Sequence, residues 1–258
     1  MTTTMVGLRN VGKTFKGRRA DTIALTAIDL EIEEGEFVSL LGPSGCGKST
    51  LLRIIGDLTP ATSGDVTVNG KPPAQARSDR DYGMVFQQAT LLEWRKVLKN
   101  IALPLEVMNV PSAERERRAR EMLDLVELGE FGEHYPWQLS GGMQQRVAIA
   151  RALALQPALL LMDEPFGALD EMTRERMQME LMRIWQQTRT TVVFVTHSIP
   201  EAVFLSTRVV VISPRPGSVA GIVEIDLPQP RRFETREHPQ FFVKLNEVRE
   251  TLRGAGVD

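Results

Sequence analysis

One glycine-rich segment constrains this chain more than any other feature of its sequence. Residues 42–49 read GPSGCGKS and fit the pattern G-x-x-x-x-G-K-[ST]. In this pattern the glycines let backbone N–H groups surround a phosphate, the lysine adds a positive charge, and the last hydroxyl can reach Mg²⁺. An apolar run over 37–41 precedes the segment, and a helical pattern over 48–55 follows it. We therefore expect a loop between a strand and a helix, with the positive end of the helix directed at the same anion.

The whole loop is expected to bind the phosphates of a nucleotide. Such patterns also arise by chance, and a glycine-rich turn with an unrelated lysine is the alternative, but the strand–loop–helix context argues against it. The predicted ATP-binding residues of the loop are Gly42, Pro43, Ser44, Gly45, Cys46, Gly47, Lys48, Ser49 and Thr50. Ser49 is in addition a predicted Mg²⁺ ligand.

Hydrophobic periodicity indicates a mixed α/β fold. Apolar runs bounded by helical patterns lie at 158–162, 191–196 and 208–213, and they predict a buried, mostly parallel sheet. Nearer the N-terminus, apolar and acidic residues alternate over 28–33 (IDLEIE), as in a half-buried strand. Residues 91–155 carry helical patterns and little β signal.

Length, charge and cysteine content limit what the chain can be. Its 258 residues suffice for one large α/β domain or for one domain with an inserted subdomain. A formal net charge of −2 gives no field that attracts nucleic acid, so we expect no nucleic-acid partner. No run approaches the ~18 apolar residues of a membrane span, and the N-terminus lacks a secretory pattern, so we expect a peripheral role if the chain acts at a membrane. The single cysteine, Cys46, excludes a disulfide within the chain and fits a reducing cytosol.

The apolar run over 159–162 ends in two carboxylates, Asp163 and Glu164. The carboxyl ends of parallel strands face the ligand crevice, so Asp163 is expected to hold Mg²⁺ directly or through water, as in other P-loop NTPases. Glu164 points elsewhere and is placed to polarise the water that attacks the γ-phosphate. Acidic residues also end strands merely because they favour turns. The interpretation therefore depends on the pair occurring together with the phosphate loop.

A second glycine-containing segment, 139–146 (LSGGMQQR), precedes an apolar helix. Ser140, Gly141 and Gly142 thus stand at a second helix N-terminus, which is a second potential anion site. Here the sequence resembles the ABC transporter ATPase family, whose signature is an LSGGQ-type segment, and the resemblance covers nearly the whole chain. It implies an α/β fold, in which a P-loop NTPase (RecA-like) core carries an N-terminal antiparallel β subdomain and an inserted α-helical subdomain.

The resemblance also implies how the chain is divided and how it assembles. Two copies are expected to pack head to tail, so that the signature of one closes over the ATP held by the phosphate loop of the other. A single ABC ATPase domain is expected over 1–258, with a β subdomain plus phosphate loop over 1–90, a helical subdomain with the signature over 91–155, the rest of the core sheet over 156–213 and a short C-terminal tail over 214–258.

The remaining family motifs are assigned by position. Phe15 resembles the aromatic residue that stacks on adenine, with an ordinary core phenylalanine as the alternative. Gln87 matches the glutamine that reaches Mg²⁺ and the attacking water. Asp170 belongs to a segment that resembles the loop touching the opposite copy. His197 follows the apolar run over 191–196 and matches the switch histidine that contacts the γ-phosphate.

The resemblance therefore implies an ATP hydrolase that uses ATP and Mg²⁺. In the predicted reaction Lys48 neutralises phosphate charge, Glu164 activates water, and His197 holds the γ-phosphate together with the partner's Ser140. The predicted catalytic residues are Glu164, His197 and Gln87. The predicted metal ligands are Ser49, Gln87 and Asp163. The predicted ATP-binding residues outside the loop are Phe15, Ser140, Gly141, Gly142 and Asp170.

A non-transport ABC ATPase is the alternative reading. Members that act in chromosome maintenance carry long coiled coils between the phosphate loop and the signature, but no sustained heptads occur between Gly42 and Ser140. Translation-associated members have two cassettes in one chain, and no second G-x-x-x-x-G-K-[ST] occurs in this sequence. P-loop kinases lack an LSGG segment.

The segments 87–106 and 211–217 look like the nitrate, sulfonate and taurine importer group, in which an LLPWR-like stretch follows the glutamine. Glu93 stands where that group usually has proline, and pyrimidine-precursor importers are similar here. Trp94 and Arg95 either pack between subdomains or line a groove that receives a short helix of the permease. The resemblance implies a peripheral subunit on the cytoplasmic face of the plasma (inner) membrane, whose partners are transmembrane permease subunits and, indirectly, a substrate-binding protein.

Overall fold

Strands and helices alternate along most of the chain. The computed structural model describes residues 3–17 and 20–256. In this part of the chain the strands are β1 (Thr4–Phe15), β2 (Thr22–Glu33), β3 (Phe37–Leu41), β4 (Ser63–Val68), β5 (Tyr82–Val85), β6 (Leu159–Asp163), β7 (Thr191–Thr196), β8 (Arg208–Ile212) and β9 (Val219–Glu224). The α-helices are α1 (Lys48–Ile55), α2 (Pro73–Asp79), α3 (Val97–Val107), α4 (Ser112–Leu125), α5 (Gly141–Leu153), α6 (Glu171–Thr188), α7 (Ile199–Leu205) and α8 (Pro239–Gly254). Short 3₁₀ turns lie at Gly129–Phe131, Pro136–Gln138 and Phe233–Glu237.

The smaller of two sheets is antiparallel, with the order β2–β1–β4. Along β2 the side chains of Ile28, Leu30 and Ile32 are buried and the acidic residues between them are exposed, so the predicted alternation is confirmed. The buried face packs against α1 and against one face of the larger sheet. Each fully buried Leu or Ile side chain in this layer stabilises the fold by about 1.5–3 kcal/mol.

The larger sheet has the order β5–β6–β7–β3–β8–β9, and of its six strands only the edge strand β9 runs antiparallel. Every residue of β3, β6 and β7 is buried, because this sheet is covered on both faces. The buried, mostly parallel sheet predicted from the apolar runs is therefore confirmed. Both β3 and β5 belong to this sheet, although they lie within the first 90 residues.

The register of three central strands sets the position of the candidate site. β7 lies between β6 and β3 and pairs in parallel with both. β6 ends at Asp163 and β7 ends at Thr196, level with the end of β3. The phosphate loop, Glu164 and His197 therefore begin at one edge of the sheet, which is where parallel α/β sheets bind their ligands.

The helices α3, α4 and α5 pack together, and α5 also contacts β5. The buried Asn100 side chain holds the loop that precedes α3. Its Oδ1 accepts a hydrogen bond from the Leu92 N–H at 2.7 Å, and its Nδ2 donates to the carbonyl oxygens of Leu92, Arg95 and Lys96. No helix within residues 3–17 and 20–256 is both long and apolar enough to cross a lipid bilayer.

The segment 214–258, predicted from the sequence as a short tail, contains β9 and α8. β9 extends the larger sheet beside β8, and α8 contributes Phe241, Val248 and Leu252 to the core. β9 is an edge strand with only one fully buried apolar residue, Val223. Its hydrophobic signal is therefore too weak to predict a strand of the core sheet.

We expect Gly217→Ala to destabilise the protein through the phosphate loop. A Cβ on Gly217 would lie 2.2 Å from the carbonyl oxygen of Cys46, and the Gly217 backbone is tied to Ala24 and Thr26 by hydrogen bonds of 2.9 Å. The backbones of Gly217 and of the phosphate loop are both held in place, so neither can move aside for the added methyl group. The free energy of unfolding measured in urea should therefore fall by about 1–3 kcal/mol. Gly254→Ala, which meets no atom within 4 Å, is the control and should stay within about 0.5 kcal/mol of the parent. Equal stability of the two variants would contradict the tight contact.

Candidate functional site

The phosphate loop is a turn that only glycine accommodates easily. Gly45 and Gly47 have φ values of +76° and +114°, in the region that L side chains rarely adopt. Gly42 lies so close to the Ile212 carbonyl oxygen that an added Cβ would be 2.6 Å from it. The helix α1 begins at Lys48, directly after the loop, so its first N–H groups and its positive end face an anion held there.

The Lys48 ammonium lies beneath the loop and is 4% exposed. Its Nζ donates to the carbonyl oxygens of Gly42 at 2.7 Å and Pro43 at 3.0 Å. Both acceptors are neutral, so the positive charge of the lysine remains available to a phosphate in the loop. The Cys46 thiol is buried in the core behind the loop, 3.9 Å from Lys48 Nζ.

A cleft of ≈ 540 Å³ lies in front of the loop. Gly42, Pro43 and Cys46, which the sequence predicts as ATP-binding, are not among its lining residues. The residues that line the cleft are Phe15, Thr22, Ala24, Ser44, Gly45, Gly47, Lys48, Ser49, Thr50, Glu164 and Arg215.

Ser49 and Asp163 meet beside this cleft. The Ser49 hydroxyl donates to Asp163 Oδ1 at 2.6 Å, and Arg53 Nη2 lies 4.0 Å from Asp163 Oδ2. Hydroxyl and carboxylate oxygens are hard ligands of the kind that Mg²⁺ prefers, and Mg²⁺ is usually held by one or two carboxylates together with substrate phosphates. Within the described ranges 3–17 and 20–256, no cluster of three His, Cys, Asp or Glu side chains could hold a metal by itself. The donor set thus fits a Mg²⁺ ion shared with a bound nucleotide.

Glu164, Gln87 and His197 come together at the end of β6. Glu164 has a left-handed φ of +46°, a strained conformation that costs about 1–3 kcal/mol and is typical of functional sites. Glu164 Oε2 lies 3.3 Å from His197 Nδ1. A Cβ on Gly167 would lie 3.2 Å from Gln87 Nε2 and 3.7 Å from Glu164 Oε2, so both side chains border this glycine. The three residues predicted as catalytic therefore lie around one small volume.

Phe15 lines the cleft with 44% of its surface exposed, and the Lys13 ammonium lies 5.0 Å from its ring centroid. It is therefore not a core phenylalanine. An exposed ring beside the phosphate loop offers a face on which a base can stack, and such stacking is worth about 1–3 kcal/mol.

Arg215 also lines the cleft and is not among the predicted residues. Its Nε and Nη2 donate to the Gly45 carbonyl oxygen at 3.2 and 2.9 Å. The guanidinium thus holds the outer side of the phosphate loop and adds a positive charge next to it. The sequence signal that could have identified it is the placement of a charged residue between Pro214 and Pro216, which restrict the backbone on both sides.

The signature segment lies at a separate surface. Ser140 caps α5, because its Oγ accepts from the Met143 N–H at 3.3 Å, and Asp170 caps α6 by accepting from the Thr173 N–H at 3.0 Å. These hydrogen bonds from Thr173 hold the pKa of Asp170 below its usual value. A Cβ on Gly142 would lie 2.8 Å from Thr173 Cγ2, so the N-termini of α5 and α6 lie side by side. Ser140 and Gly142 line a pocket of their own, distinct from the phosphate cleft.

We expect Arg215→Ala to weaken binding of MgATP. The change removes a positive charge from the cleft and the hydrogen bonds to the Gly45 carbonyl oxygen. We expect the binding free energy of MgATP to weaken by about 1 kcal/mol, which raises its dissociation constant about fivefold. Isothermal titration calorimetry measures the effect. Arg249→Ala, on the exposed face of α8, is the control. Identical affinities of the two variants would show that Arg215 takes no part in nucleotide binding.

Comparison with known proteins assigns the family. The ABC transporter family model matches residues 25–167. The taurine import ATP-binding protein TauB of Rhizobium johnstonii is 49% identical to this chain, over 92% of this chain and 92% of its own length. The nitrate import ATP-binding protein NrtD of a Synechocystis species is 44% identical, over 96% of this chain and 94% of its own length.

A solved structure shares the architecture. It is a dimeric post-hydrolysis state of the ATP-binding cassette MJ0796 bound to ADP and Pi, and it matches with a TM-score of 0.75 and 41% identity, over 86% of this chain and 99% of that one. The expected P-loop NTPase core is confirmed by this likeness. Since the family model matches more than half of the sequence and both relatives cover more than nine-tenths of it, the chain belongs to the ABC transporter family.

Proposed function

We propose that the chain is the ATP-hydrolysing subunit that drives an importer of a small solute. The observation that carries this proposal is the presence of two separate half-sites in one chain, the phosphate cleft around Lys48 and the helix N-terminus at Ser140. Neither half surrounds a nucleotide alone. Two copies packed head to tail complete the site, with the partner subunit's Ser140 facing the phosphate loop. The dimeric state of the related cassette MJ0796, which holds ADP and Pi, supports this arrangement.

The cleft residues supply the parts of a phosphoryl transfer to water. Lys48 neutralises phosphate charge, and bound Mg²⁺, held by Ser49 and Asp163, would supply Lewis-acid stabilisation of the phosphate oxygens. Glu164 orients the attacking water and accepts its proton. His197, held 3.3 Å from Glu164 Oε2, donates to the γ-phosphate as the bond to the β-phosphate oxygen breaks.

The same geometry converts hydrolysis into motion. ATP contacts both copies, so its binding favours the closed dimer over the open one. Hydrolysis removes the bridging γ-phosphate and lets the dimer open. A permease attached to both copies would follow this cycle of closing and opening.

The names of the relatives support a proposal for the cargo and the partners. They name taurine and nitrate. The sequence resemblance adds other sulfonates and, as a second class, pyrimidine precursors. We assign the choice of solute to transmembrane permease subunits and to a substrate-binding protein that reaches this chain only through them. Since ATP is a cytoplasmic metabolite, the chain would act peripherally at the cytoplasmic face of the plasma (inner) membrane.

The surface offered to the permease lies around Trp94, whose side chain is 73% exposed. Trp94 and Arg95 line a groove of ≈ 400 Å³, and Arg95 is held there by an ion pair of 2.7 Å with Glu106. Exposed tryptophans are typical of interaction sites, and a groove of this kind suits a short helix. Arg151 of α5 donates to the Thr90 carbonyl oxygen, which ties α5 to the segment between Gln87 and Trp94.

We expect Glu164→Gln to separate ATP binding from turnover. The amide cannot accept the proton of the attacking water, so the rate of phosphate release should fall about 100-fold or more. ATP affinity should remain within about twofold, because the phosphate contacts are retained. An ATP-bound dimer should accumulate in analytical ultracentrifugation. Glu121→Gln, on the surface of α4, is the matched control. Normal turnover of the Glu164 variant would remove this residue from the catalytic role.

We expect Trp94→Ala to weaken the attachment of the chain to its permease while its own ATP binding is unchanged. Loss of a central exposed tryptophan at a docking surface typically costs about 2 kcal/mol or more, which is roughly a thirtyfold loss of affinity. The measurement is co-purification of the permease subunits from detergent-solubilised membranes that contain the complete transporter. Phe242→Ala, an exposed aromatic on α8, is the control. Equal recovery with both variants would place the docking surface elsewhere.

A further inference from the structure

The helix after His197 contains a buried carboxylate that the proposed mechanism does not use. Glu201 is 6% exposed. Its Oε1 accepts from Gln178 Nε2 at 3.0 Å, and its Oε2 accepts from the Thr196 hydroxyl. Burial raises the pKa of Glu201, and the hydrogen bonds from Thr196 and Gln178 oppose that shift. A buried carboxylate is costly unless its hydrogen bonds are satisfied, so its place between these two donors requires an explanation.

Arg236, Gln178 and Glu201 form a chain of hydrogen bonds in which each side chain donates to the next. Arg236, in the 3₁₀ turn before α8, donates through Nη2 to Gln178 Oε1 and lies over the Phe204 ring, 4.3 Å from its centroid. Arginine can only donate, so it orients the Gln178 amide with its oxygen outward and its NH₂ toward Glu201. The carboxylate can only accept while it is ionised, and it therefore receives donors from α6 and from the end of β7.

Two further hydrogen bonds, which involve Thr196 and the backbone of Glu201, fix the chain on both sides of His197. The Thr196 hydroxyl oxygen accepts from the Ser198 N–H at 3.0 Å, and Ser198 Oγ accepts from the Glu201 N–H at 3.4 Å. The His197 side chain is itself 59% exposed. Its own contacts therefore restrain it weakly, and the direction of its ring depends on the backbone that Thr196 and Ser198 hold.

We propose that Glu201 and Gln178 are positioning residues that hold His197 against Glu164, and that Arg236 fixes the orientation of Gln178. The inference rests on the proposed role of His197 at the γ-phosphate. Gln178 belongs to α6, which begins at Asp170 beside the signature. The network thus joins the helix that faces the second half-site to the histidine of the first.

Exchanging the carboxylate of Glu201 and the amide of Gln178 tests this network. Gln178→Glu places two carboxylates together, and we expect it to lower kcat about tenfold while KM for ATP stays within about twofold. Glu201→Gln alone should also lower kcat. The double variant Q178E/E201Q again offers one carboxylate and one amide, with acceptors for Thr196 and Arg236, and should recover kcat to within about twofold of the parent.

A second readout does not depend on turnover. The chain has three histidines, so ring ¹H–¹³C spectra of the full-length, histidine-labelled protein contain three sets of signals, and His197→Asn assigns the relevant one. Q178E should shift or broaden the His197 signal and leave the signal of His134 in place. Arg236→Ala changes a side chain nearer the surface and should shift the His197 signal to a smaller extent. This variant replaces Q178E in the test if Q178E does not fold.

The matched control is Ser206→Ala, which removes a buried hydrogen bond to Ser39 at the other end of α7. It should lower the melting temperature and leave kcat and the His197 signal unchanged. The inference is overturned if Q178E leaves both kcat and that signal unchanged, or if losses of kcat follow the melting temperature in every variant without recovery in the double variant. Full turnover by His197→Ala would instead remove His197 from the proposed mechanism, an outcome that the ring spectra distinguish from failure of the network.

Discussion

Because β6, β7 and β3 pair in parallel with matched ends, the loops that follow them start from one edge of the larger sheet. The phosphate loop, the two carboxylates at the end of β6 and His197 lie far apart in the sequence, and this register is what brings them within hydrogen-bonding reach. Burial of all three strands on both faces makes the register costly to change, since a slip of one residue would disrupt the close packing of side chains against the layers on either side. The arrangement of the site is thus a consequence of how the core packs.

The phosphate loop is supported from two further directions. From below, Lys48 donates to the loop's own carbonyl oxygens, which ties the start of α1 to the end of β3. From outside, the segment 213–218 packs against the loop, where Gly217 permits close approach to Cys46 and Arg215 binds the Gly45 carbonyl. The backbone N–H groups are therefore held in place before an anion arrives, which reduces the cost of organising them on binding.

The two half-sites are connected through helices. Gln145 of α5 donates to the Phe86 carbonyl oxygen at 3.0 Å, next to Gln87, so the signature helix contacts the segment that carries a predicted catalytic residue. The helix α6 contacts Glu201 of α7 through the hydrogen bond that Gln178 donates to its carboxylate. A shift of either helix at the surface where two copies would meet therefore has a direct route to Gln87 or to His197. Both routes run through packed helices that are joined to the site by hydrogen bonds of Gln145 and Gln178.

The sequence by itself determined the local chemistry of this protein. The phosphate loop, the strands that end in Asp163 and Thr196, and the cap at Ser140 each depend on contiguous residues whose spacing dictates their geometry. The tertiary structure alone decided which distant side chains support them. Arg215 and Gly45 are 170 positions apart, and Gln178 and Arg236 are 58 positions apart, so no local pattern links them. Their contacts form only when the edge strand β9 and the turn before α8 pack onto the core, and the weak periodicity of that region conceals this packing in the sequence.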